Sequence, residues 1–130
     1  MPRRRPAQVR ARNQRQPRPT AIRGVPLSTS RALDRLDRPQ LTSGSVRTDL
    51  LSWRRVTLKP RSTLQRENND WVQFIGPFSR DVLEQALHAL PRHRRASLRR
   101  QIAQLDARFL DKTLNNPTAD PSLPWWWRRT

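Results

Sequence analysis

One stretch, Phe78 to Phe109, carries sustained helical periodicity, and it limits the fold to one built on a pair of helices. Val82, Leu83, Ala86, Leu87 and Leu90 form an apolar face about 140° wide on a helical wheel, enough to bury. Leu98, Ile102, Leu105 and Phe109 follow at steps of four, three and four residues, a second seam that Leu110 and Leu114 extend. Between the two, Pro91 must interrupt the helix, because proline lacks the backbone N–H and its ring crowds the preceding turn. The predicted helices therefore cover about 79–90 and 91–114. Ser79 is the expected N-cap, Asp81 complements the first-turn dipole, and Phe78 is placed to staple onto Leu83.

The upstream chain offers less. Ser28 to Pro39 reads as a short helix capped by Ser28 or Ser30, with Arg31, Arg35 and Arg38 pairing with Asp34 and Asp37 along it. Gln40 to Ser45 reads as a polar loop. Asp49 to Trp53 fits a helical turn and Arg54 to Leu58 a short strand, which can pair as a β-hairpin with Trp71 to Ile75. Trp53, beside Arg54 and Arg55, has the chemistry to stack on bases, but a lone Trp in a chain short of apolar residues is first a core candidate. The fold class expected is thus mainly α, a small domain with a short hairpin and a disordered basic N-terminal arm. Its divisions are 1–27 for the arm, 28–45 for a short helix and linker, and 46–127 for the folded domain with its Trp-rich tail.

The arm follows from charge. Residues 1–33 hold nine Arg and no acid, whereas residues 67–130 hold ten basic residues against seven acidic ones, so most of the net +17 lies outside the predicted helices. A mean hydropathy of −0.93 and 34% hydrophobic residues leave no apolar material to fold that segment. Such a charge draws any polyanion, with an attraction that salt weakens steeply. Twenty-five of the 27 basic residues are Arg, which forks phosphate and stacks on bases, although the codons of a GC-rich genome are the better explanation of the preference. The candidate phosphate contacts are Arg3, Arg4, Arg5, Arg10 and Arg12 in the arm, and Arg92, Arg95 and Arg99, which fall within roughly 60° of one another on the second helix. Arg94, Arg100 and Arg108 point elsewhere, so the helix is wrapped by charge, which suits phosphate contact better than base reading in a groove.

Catalysis and metal binding find no support. The chain has no cysteine; His88 and His93, the only histidines, share no helix face; three scattered glycines make no phosphate-cradling loop. No catalytic residue, cofactor or metal ligand is assigned. Absence of cysteine and of any run near the roughly 18 apolar residues of a membrane span fits a cytoplasmic setting, with a membrane surface disfavoured as partner.

The terminal Pro124-Trp-Trp-Trp-Arg-Arg129 folds back over the helical pair, serves as a docking motif through Trp125, Trp126, Trp127 and Arg128, or anchors at a membrane interface with Trp and Arg among the headgroups, in that order of preference. Together with Leu90-Pro-Arg-His-Arg-Arg-Ala-Ser-Leu-Arg-Arg100 and Leu105-Asp-Ala-Arg-Phe-Leu110, it resembles short uncharacterised actinobacterial Arg-rich proteins with a terminal Trp-Arg signature. The resemblance spans about residues 74–129; it implies a cytoplasmic bacterial protein, of plasmid or accessory origin, and brings no catalytic residue, cofactor or partner. Two functions stay open: a non-enzymatic protein holding RNA or DNA by sequence-nonspecific phosphate contacts, or a module docking an acidic or apolar protein partner through the helical pair and Trp cluster.

Overall fold

A computed structural model describes residues 18–65 and 77–130. Among these residues the protein is helical, with α1 at Leu27–Arg35, α2 at Ser43–Thr57, α3 at Arg61–Leu64, α4 at Phe78–Ala89 and α5 at Ala96–Lys112. Three single 3-10 turns, at Pro39–Leu41, Arg92–Arg94 and Trp125–Trp127, set the directions between and after them. No strand forms among the described residues; the one β element is an isolated antiparallel bridge between Asn115 and Arg129.

The helical pair is joined by a third long helix that the sequence reading broke in two. Residues 54–57 are the last turn of α2, and the expected strand there does not form. The reason is tertiary: Val46, Leu50, Trp53 and Thr57 fall at helical spacing and are all buried, so a β-branched run at Val56-Thr57 is overridden by burial of one helical face. The proposed hairpin partner, Trp71 to Ile75, lies outside the described residues. α2 rests against both α4 and α5, with Trp53 tilted onto Phe109 at 4.9 Å between ring centroids.

Residues ahead of α2 also belong to this unit. Ile22 and Val25, assigned to the arm by composition, are buried, and so are Leu33 and Leu41 farther on. Two apolar residues suffice to seat residues 18–27, because backbone and side-chain polar groups are satisfied alongside. The Thr20 N–H donates to Ser43 Oγ at 2.8 Å, and Gln101 Nε2 donates to the Arg23 carbonyl. Gly24 makes the turn between them at φ 75°, where a Cβ would run into the Gln101 amide.

Helix ends depart from the expected caps. α1 starts after Pro26 with no side-chain cap, and neither Ser28 nor Ser30 serves. Asp34 accepts from the backbone N–H and the hydroxyl of Ser43 at 2.8 and 3.0 Å, which ties α1 to the start of α2 in place of ion pairs along its own helix. Thr42 is the N-cap of α2, its hydroxyl oxygen accepting from the Ser45 N–H at 3.1 Å, so the loop expected over Gln40 to Ser45 is mostly helix start. α4 begins one residue before the expected cap: Ser79 is buried within its first turn. Phe78 stays largely exposed and meets Trp127 edge-on at 4.8 Å. α5 starts at Ala96, later than predicted, because Pro91 leaves Leu90 and itself extended and the chain needs the Arg92–Arg94 turn to re-enter a helix.

Candidate nucleic-acid interface

The site is best built from the inside outward, since the interior decides which charges face solvent. Arg80, on α4, is 5% exposed, a full charge within the packed protein. It forks Asp106 of α5, Nε to Oδ1 at 2.9 Å and Nη2 to Oδ2 at 3.0 Å, and donates from Nη1 to Glu84 Oε2 at 2.7 Å. Its guanidinium carbon lies 4.2 Å from the centre of the Trp126 ring. Asp106 also accepts from the Trp53 indole N–H at 3.0 Å, which brings α2 into the same cluster. A buried charge is tolerable only when paired and hydrogen-bonded, and here each guanidinium nitrogen has a carboxylate partner. Burial pushes the Glu84 carboxyl up, but the Arg80 hydrogen bond and charge, aided by His88, outweigh it and leave Glu84 below the usual glutamate range.

The Trp tail closes over this cluster. Trp126 and Trp127 both donate their indole N–H to Asp81 Oδ1, at 2.6 and 2.8 Å, so one carboxylate of α4 anchors two consecutive rings. Trp126 is buried; Trp125 and Trp127 are half-buried against the core. Antiparallel hydrogen bonds between Leu114 and Thr130 and from the Asn116 N–H to the Arg128 carbonyl hold the segment to the end of α5. Arg128 is half-buried, with its Nε buried and without a protein partner. The four residues considered for docking therefore all lie in or beside the folded-back tail.

Several cations have internal work. Lys112 Nζ donates to the carbonyls of Thr57 and Lys59 at 2.7 and 2.9 Å, closing the C-terminal end of α2. Arg129 Nη2 donates to the Leu110 carbonyl at 3.0 Å at the end of α5. Arg95 Nη2 donates to the Leu90 carbonyl at 2.8 Å, which caps α4, while its Nε is buried with no protein partner.

Outside this interior lies a basic cleft of about 600 Å³ at the junction of α4 and α5, lined by Arg92, Arg95, Arg99 and Arg100 with Ala96 and Ala103. The structure thus brings together the three helical arginines selected from the wheel, and adds Arg100 to them. Arg92, Arg99 and Arg100 are exposed and Arg95 is half-buried. No acidic residue lies in the first turn of α5 to offset them. Arg3, Arg4, Arg5, Arg10 and Arg12 lie outside the described residues. Trp53 is fully buried and is core. His88 pairs with Glu84 at 3.0 Å, and among the described residues no group of three or more His, Asp or Glu is placed to hold a metal ion. No helix among them is long and apolar enough to cross a membrane.

Arg80, Asp106 and Asp81 are the residues that sequence reasoning missed or undervalued. A signal existed: Arg80, Glu84 and His88 recur at four-residue steps on the wet edge of an otherwise apolar face. Compared with protein-family models, curated proteins and solved structures, the chain matches none.

Proposed function

We propose that the protein is a non-enzymatic nucleic-acid-associated protein that holds RNA or DNA by sequence-nonspecific phosphate contacts. One observation carries this reading: four arginines share one solvent-facing cleft whose lining holds no acid. Asp34, Asp81 and Asp106 accept hydrogen bonds from within the fold, and Glu84 is neutralised by Arg80. At the start of α5 the cleft is left to guanidinium groups, the donors best matched to phosphate oxygens. The basic arm adds unmatched charge to that field and strengthens encounter with any polyanion.

The alternative, docking of a protein partner through Trp125, Trp126 and Trp127, is less favoured, because two of these indoles already hydrogen-bond Asp81. Fluorescence anisotropy with labelled RNA and DNA of mixed sequence tests the proposal. Binding should fall steeply between 50 and 200 mM salt, on the order of tenfold or more for several phosphate contacts, and weaken on deletion of residues 2–17. The deletion stops there because Ile22 is core. Affinity indifferent to both salt and the deletion would overturn the proposal.

A further inference from the structure

Three clefts share lining residues along α4 and onto the start of α5. The first, about 780 Å³, is lined by Trp126, Trp127, Leu123 and Pro124 of the tail on one side, and on the other by Gln85, Glu84 and His88 of α4. Glu84 and His88 also line a second, of about 240 Å³, which reaches Arg95, Arg99 and Ala103. Those three residues in turn line the arginine cleft. The shared residues mark a path from the buried Trp126 and half-buried Trp127, past a carboxylate, to a cluster of arginines.

We infer that this path is one groove for a single nucleic-acid strand, with unpaired bases at its tryptophan end and phosphates at its arginine end. The inference rests on the phosphate-binding reading and narrows it to single strands. The polarity follows from chemistry. Phosphates are drawn to Arg92, Arg95, Arg99 and Arg100. Bases suit the other end, where indole, proline and leucine surfaces offer apolar contact. Its volume lies within the roughly 300–1,000 Å³ range of small-ligand sites, room for a base. Arg38, exposed at the rim of that cleft, supplies a cation for a neighbouring phosphate or a stacking plane. A duplex keeps its base faces stacked and hidden, so it can engage the arginine end alone.

Two exposed positions test the path without touching its supports. Gln85→Glu adds a carboxylate beside the base end, and Ala103→Glu adds one where the second cleft meets the arginines. Full-length protein is titrated against a labelled 12-nucleotide RNA strand, the DNA strand of the same sequence, and the corresponding duplexes, with circular dichroism confirming that each variant folds. Expected is a preference for single strands of about tenfold, the size of one stacking contact, in RNA, DNA or both. Ala103→Glu should weaken all binding, and Gln85→Glu should remove most of the single-strand preference while leaving duplex affinity unchanged. Equal, salt-dependent binding of strand and duplex, with Gln85→Glu silent, would overturn the groove and leave the phosphate reading standing. Binding to neither would remove both. Displacement of the strand by an equal concentration of poly-glutamate would also overturn the groove, since charge alone would then suffice.

Discussion

Arg80 and Asp106 face each other across α4 and α5 as a two-pronged pair, at 2.9 and 3.0 Å, with side chains only 6% and 15% exposed. Removing one partner strands the other, so Arg80→Met should cost about 3–5 kcal/mol in urea unfolding. Arg80→Lys should also destabilise, because an ammonium cannot reproduce the fork or lie flat over Trp126. The double variant Arg80→Met/Asp106→Asn should recover part of the loss, and full additivity of the two single costs would contradict the pairing.

The Trp tail is expected to behave as core. Trp126→Ala removes a buried ring that contacts Arg80 and hydrogen-bonds Asp81, and about 3–5 kcal/mol of stability should go with it. The half-buried Trp127 should cost less. Thermal denaturation of both variants distinguishes this from a free docking motif, for which neither substitution would move the midpoint.

Two carboxylates give stability opposite slopes with pH. Glu84 is held below the ordinary glutamate value of about 4.5, so its contribution is present above that pH and is lost as pH falls through its folded-state value. Burial raises Asp49 above its ordinary 3.8, so Asp49 costs stability once pH exceeds that value, and the cost is complete above its folded-state value. Urea midpoints between pH 3 and 7 should show a shallower acid loss for Glu84→Gln and a higher neutral midpoint for Asp49→Asn.

Lys112 bridges the end of α2 through two carbonyls. Lys112→Met should cost about 1–2 kcal/mol, from lost charge-assisted hydrogen bonds and the lost cation at a helix C-terminus. A double-mutant test with Arg99→Gln, an exposed arginine, should be additive, whereas Arg99→Gln alone should leave stability nearly unchanged.

The seams of α4 and α5 were legible because Leu83, Leu87, Leu98, Ile102 and Phe109 repeat without interruption. α2 was not, because Ser43 and Thr57 occupy buried positions on its inner face and dilute the apolar pattern around Val46, Leu50 and Trp53. Composition assigns residues 18–27 to an arm, because it cannot register that Ile22 and Val25 are buried and that Thr20 and Arg23 bond to the fold. The co-facing of Arg92, Arg95 and Arg99 was visible on a wheel even though a 3-10 turn precedes α5. The four-residue spacing of Arg80, Glu84 and His88 marked a local ion pair, but among 25 arginines nothing local pointed to an aspartate 26 residues away as a second partner.

The most direct test of phosphate neutralisation by the α5 arginines is the salt slope of single-strand binding for wild type and for Arg92→Gln/Arg99→Gln/Arg100→Gln. Each lost contact lowers the slope of log K against log salt by about 0.7, so the triple variant should lose about 2 from its magnitude. An unchanged slope in a folded triple variant would contradict a role for this cleft in holding nucleic acid.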